Sequence, residues 1–346
     1  MTPPPALHFH DPDRTLAGVR LVQRACLPAD RLDFGYDERE RAWRLELPPL
    51  SVWRLEYELE LRHPDGRTEV IADPANPRRA PGGFGEKSVL ELPGYHQPPW
   101  LDWPTAAGEW RDRPVSSRAL RAEIPVRIWS PPDARGMLLA HDGGEFDRLI
   151  GLGHYCAAMV AAGTLPPHHL VLLSPVERND WYSANPAYAR ALADEVVPTL
   201  RDELGDAPTV GLGASLGGLA LLHAHQRHHG LFGGLFLQSG SFFQRRFDAQ
   251  ESGFAHYRRI TRFVSAVRRG RPTAVVPTTI TIGLGEENLA NNRDMAAVLR
   301  TQGYPVALIE VPDGHNLVAW RDAWHPHLAD LARKVWTDDR RTTQDA

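Results

Sequence analysis

Thr209-Val210-Gly211-Leu212-Gly213-Ala214-Ser215-Leu216-Gly217-Gly218-Leu219-Ala220-Leu221-Leu222 decides how this chain is read. A short apolar run leads into G-x-S-x-G, and apolar residues at helical spacing lead out of it. A strand that turns sharply into a helix at a serine is a nucleophile elbow. Such a turn is strained, so the residues around the serine must be small, and Gly213, Ala214, Gly217 and Gly218 are. The helix N-terminus adds partial positive charge and unpaired N–H groups beside the hydroxyl. A Gly-rich turn that merely contains a serine is the plainer alternative. The order strand, elbow, helix favours chemistry.

Outward from the elbow, residues from about 118 onward alternate between buried apolar runs and helical patterns, which predicts a sheet covered on both faces. Strands are expected over 124–129, 137–140, 169–173, 209–212, 235–239, 279–282 and 306–311. Helices are expected over 149–162, 188–204, around 295–299 and over 317–335, followed by a frayed polar tail from Asp338. Residues 15–95 read differently. Leu55-Glu56-Tyr57-Glu58-Leu59-Glu60-Leu61 alternates apolar with acidic, as a half-buried strand does, and His63-Pro64-Asp65-Gly66 is a turn signal. The expectation is therefore an α/β-hydrolase fold over residues 113–346, preceded by a small antiparallel β-sandwich over residues 1–112. The Pro- and Trp-rich stretch 93–114 is read as the connection.

Bulk composition narrows the function classes. The 346 residues are 42% hydrophobic and 24% charged, with a formal charge of −4. These are values of an ordinary globular protein and give no sign of a nucleic-acid partner. No run approaches the ~18 apolar residues of a membrane span. The start, Met1-Thr2-Pro3-Pro4-Pro5, lacks a basic n-region and an apolar h-region, so a cytoplasmic location is expected. Cys26 and Cys156 are the only cysteines and suggest neither a disulfide framework nor a thiolate metal site. His223, His225, His228 and His229 cluster after the elbow with no accompanying carboxylate, so they are read as a solvated helix face, and no metal is expected.

In hydrolases of this architecture the acid and then the histidine follow the serine along the chain. Asp313-Gly314-His315 follows the last expected strand, which makes His315 the candidate base. Gly283-Leu284-Gly285-Glu286-Glu287 follows the preceding strand, and one of its glutamates is the candidate acid, with Glu286 favoured. Oxyanion donors are expected at the N–H groups of Leu216 and Gly144, the latter in His141-Asp142-Gly143-Gly144, where Asp142 is read as shaping the loop. Arg178, Trp181 and Tyr182 combine a cation with two aromatics and are candidates to bind substrate.

These motifs, taken in order, resemble the enterochelin (enterobactin) esterase family of esterase D-like hydrolases. The likeness covers Ala72-Asp73-Pro74-Ala75-Asn76-Pro77 and Glu86 to Pro93 in the first module. In the second it covers His141-Asp142-Gly143, Asp180 to Ser183, Gly213 to Gly218, Gly283 to Asn288, and Gly314-His315 with Trp320-Arg321. The resemblance implies an immunoglobulin-like first domain, and Ser215 as nucleophile with His315 as base and Glu286 as acid. It also implies hydrolysis of trilactone catecholate siderophores to release iron, without a cofactor. The expected partner is thus a small-molecule ester, for which the resemblance suggests a ferric siderophore, with the oligomeric state left open. An acyltransferase on the same scaffold and a binding protein with a degenerate site are the rival readings.

Overall fold

The computed structural model describes residues 5–23, 27, 29–83, 85–206, 208–270 and 274–344. Cys26 and residues 1–4, where no signal peptide was expected, lie outside them. By contacts the chain forms two compact units. One joins Met1–His96 with Gly283–Glu287 and Val311–Ala319, and the other holds Gln97–Ile282, Asn288–Glu310 and Trp320–Ala346.

The first unit contains two antiparallel sheets. Strands Ala6–His10, Ala42–Glu46 and Gly35–Asp37 form one, in that order across the sheet. The other runs Gly18–Gln23, Arg54–Arg62, Lys87–Glu91, Arg79–Ala80, with Thr68–Ile71 also on Arg54–Arg62. The alternation in the sequence has its expected result: Leu55, Tyr57, Leu59 and Leu61 are buried. Val19 pairs with Leu61 and Leu21 with Leu59, so the buried sets of neighbouring strands share a face. Each such side chain contributes about 1.5–3 kcal/mol on burial. The Ala72–Pro77 motif locks onto this sheet, because the Tyr57 hydroxyl donates to Asp73 Oδ2 (2.7 Å) and Asn76 Nδ2 donates to Val89 O (2.8 Å).

In the second unit we number the sheet strands β1 (Glu109–Asp112), β2 (Val126–Ser130), β3 (Gly136–His141), β4 (His168–Leu173), β5 (Thr209–Ala214), β6 (Gly234–Gln238), β7 (Thr278–Gly283) and β8 (Val306–Val311). Their order across the sheet is 8-7-6-5-3-4-2-1. Pairs β3–β4, β3–β5, β5–β6 and β6–β7 are parallel, and β2 is antiparallel to both β4 and β1. Strands β3, β4, β5 and β6 are buried along their whole length, as strands covered on both faces must be. This is an α/β-hydrolase fold behind an antiparallel β module, as expected.

Some elements differ from the sequence reading. The stretch taken as a connector supplies edge strand β1 and a buried Trp100. The helix expected over 149–162 begins at Gly143 and is divided at Gly151, whose φ of 71° ends the first helix. Tyr257–Arg269 is a helix that the sequence reading missed. The last helix, His327–Gln344, continues through residues expected to fray. His223 and His225 are buried rather than solvated, and burial holds their imidazoles down at about 3 and about 4. Cys156 is fully buried, and its thiol is pushed up. No helix among the described residues is long and apolar enough to cross a membrane.

Candidate active site

β5 delivers Ser215 to the sheet's carboxyl edge, and the helix Leu216–Arg227 departs from it at once. Ser215 sits at φ 55°, ψ −122°, a region that residues with a Cβ rarely adopt. Two backbone bonds hold it there: its N–H donates to Gln238 O (2.8 Å), and its carbonyl accepts from Ser241 N (3.1 Å). Sterics demand the glycine two residues earlier. A Cβ on Gly213 would lie 2.7 Å from the Gly217 carbonyl and 2.9 Å from the Gly218 nitrogen. The Ser215 hydroxyl is 3.2 Å from that of Ser241. Ser241 was not anticipated; its loop, Ser239-Gly240-Ser241, directly follows β6. Asn292 clamps that loop by accepting from Gly240 N (2.9 Å) and donating to Gly240 O (2.8 Å).

Leu216 and Gly144 both lie in the first turn of a helix, one in Leu216–Arg227 and one in Gly143–Ile150. Their N–H groups therefore have no acceptor within the helix and can donate to an oxyanion. His141, at the end of β3, couples the two helix starts. Its Nδ1–H donates to Gly217 O (3.0 Å), and its Nε2 accepts from the Tyr188 hydroxyl (2.9 Å). Burial pushes this imidazole down to about 4, so it stays neutral at pH 7.

Asp142 shapes the loop. It takes a left-handed conformation (φ 52°), and its carboxylate receives Arg178 through both oxygens at 2.8 and 2.7 Å. The Asp142 N–H donates to the Tyr182 hydroxyl at 3.2 Å. Of the three expected substrate binders, Tyr182 has no exposed surface and Trp181 only 4%. Both belong to the buried hydrophobic core of this unit. Arg178 alone keeps substantial exposure, 37% of its side chain.

In the first unit, the loops that follow β7 and β8 bring Glu286 and His315 together. His315 Nδ1 lies 2.7 Å from Glu286 Oε2, and Oε1 of the same carboxylate accepts from Gly283 N (2.8 Å). An ionised carboxylate only accepts, so Nδ1 carries the hydrogen and Nε2 is the basic nitrogen. Glu286 is buried, whereas Glu287 is exposed. The His315 loop is braced by Asp313, which accepts from Gly314 N (2.7 Å), Asn316 Nδ2 (2.8 Å) and buried Arg54 (3.3 Å). Arg54 also meets Glu56 at 3.3 Å. Burial raises Glu56 to about 7 against the opposing pull of Arg54, and raises Asp313 as well. No group of three or more metal-ligating side chains occurs among the described residues.

The family model described as "Putative esterase" matches residues 117–330. An iron(III) enterobactin esterase of Escherichia coli O6:H1 is 24% identical over 286 residues, covering 78% of this chain and 69% of the relative. Among solved structures, the ferric enterobactin esterase of Salmonella typhimurium superposes with TM-score 0.75 at 20% identity, covering 96% of this chain and 94% of that one. The Shigella flexneri enterobactin esterase, crystallised in the presence of enterobactin, gives 0.74 at 19% identity, covering 96% and 92%.

Proposed function

The chain belongs to the putative esterase family and is a carboxylic ester hydrolase, and from that premise we propose that it opens the ester bonds of a trilactone catecholate siderophore. Ser215 is the nucleophile in this reading. His315 Nε2 takes its proton as the hydroxyl attacks the ester carbonyl, and Glu286 stabilises the imidazolium. The N–H groups of Leu216 and Gly144 hold the oxyanion. His315 then protonates the leaving alkoxide, and water releases the acyl group by the same steps. Arg178 is the substrate-facing cation.

The observation that carries the mechanism is the backbone of Ser215 at φ 55°, ψ −122°, directly ahead of a helix start. The siderophore as substrate is supported by the relatives, whose names are those of enterobactin esterases along 78% of this chain. Ser215→Ala should lower kcat on a p-nitrophenyl ester by on the order of 10⁴ to 10⁶-fold. Full activity in that variant would end the serine mechanism. For the substrate, ferric and iron-free enterobactin are incubated with the protein and the products followed by mass spectrometry. If neither is opened faster than by Ser215→Ala, the siderophore assignment fails while the esterase class stands.

A further inference from the structure

Helix Tyr257–Arg269 carries five arginines, and two of them are committed to acids. Arg259 grips Asp180 at 3.0 Å, and Arg268 pairs with Asp294. The other three, Arg258, Arg262 and Arg269, are spaced by four and seven residues and so fall on one stripe of the helix. Arg245, from the loop after β6, faces the same space. These four line a cavity of ≈ 640 Å³ together with Thr261 and Ser265. No acid among the described residues pairs with any of the four. Neighbouring carboxylates are occupied elsewhere: Asp294 also takes Arg246 (2.6 Å), and Asp248 accepts from Gln244 N (2.6 Å) and Asn291 (2.9 Å).

A concave wall bearing one sign of charge concentrates its field and attracts counter-charge. Guanidinium forks match phosphate and carboxylate oxygens two at a time, and the Ser265 hydroxyl adds a further donor, that of Thr261 donating instead to Arg258 O (3.3 Å). The opposite face of the helix, with Ile260, Val264 and Val267, is buried, so the stripe is held rigidly. We infer that this cavity binds a small molecule bearing several oxyanion groups, independently of which ester is cleaved at Ser215. The volume suits a compact polyanion.

Calorimetric titration of the full-length protein with sodium tripolyphosphate, and separately with citrate, tests this. Saturable one-site binding is expected for at least one of them, weakening as salt rises from 50 to 300 mM. The arm that binds tighter tells a phosphate ligand from a carboxylate one. The Arg258→Gln/Arg262→Gln/Arg269→Gln variant should bind on the order of 100-fold more weakly while keeping the parent's melting temperature and basal esterase rate. Ser215→Ala should bind as the parent does, which separates this site from the catalytic one. Absence of saturable binding in both arms, or binding undiminished in the triple variant, overturns the proposal.

Discussion

His315 and Glu286 show how much a single hydrogen bond decides. At 2.7 Å the carboxylate fixes which ring nitrogen carries the hydrogen, and so which nitrogen is basic. Glu286→Gln keeps the size but can present an N–H to Nδ1, favouring the wrong tautomer. The expected loss in kcat is on the order of 10³ to 10⁴-fold, whereas Glu287→Gln, on an exposed neighbour, should stay within about twofold of the parent. Steady-state rates on one soluble ester decide the matter, and equal effects of the two changes would remove Glu286 from the mechanism. Sequence order alone led to the pair Glu286/Glu287; what separates them is burial and the Gly283 amide, which no spacing rule contains.

At the level of elements, strand Arg54–Arg62 reaches beyond its own sheet. Its alternation is legible from the sequence, because Leu55, Tyr57, Leu59 and Leu61 repeat with the strand's period. Arg54 and Glu56 break the rule that charges face water, since both are buried with Asp313. Nothing local in the sequence signals this, as their partner is 259 residues away. The groups facing Glu56 are Arg54, Asp313 and Lys87. Its folded pKa of about 7 lies above the ordinary 4.5, so the folded chain holds a proton that the unfolded chain has released. That contribution is complete below about pH 4.5 and is lost as pH rises through about 7, on the order of 3 kcal/mol in all. Glu56→Gln should flatten the dependence, so urea midpoints of parent and variant should diverge between pH 5 and pH 8. Parallel curves would show that Glu56 is charged throughout. The same limit of local reading applies to helix Tyr257–Arg269. Its arginines mask an apolar stripe, and only the fold reveals that the stripe is buried.

For the whole molecule, the parallel sheet and its elbow were written plainly in apolar runs and glycines, since strands buried on both faces admit little else. The grouping of residues into two units was not. Gly283–Glu287 and Val311–Ala319 belong by contacts with Met1–His96, far from them in sequence. Those two segments carry Glu286 and His315, so the β module and the loops after β7 and β8 share one packing unit. Global stability also bears the cost of the elbow. A residue with a Cβ at φ 55°, ψ −122° is strained by about 1–3 kcal/mol. Ser215→Gly should relieve part of this and raise the urea midpoint by the equivalent of about 1 kcal/mol, after glycine's entropy is subtracted, where Ser215→Ala should not. A midpoint for the glycine variant at or below that of the alanine variant would show the turn to be relaxed.

With Ser215 as the proposed nucleophile, the strained turn also sets which inactive descendants this enzyme can have. Drift that is blind to turnover would replace the serine with the residue most at ease there, and the resulting chain would fold better than its ancestor. Only demand for the reaction keeps a hydroxyl at a position that folding would give to hydrogen.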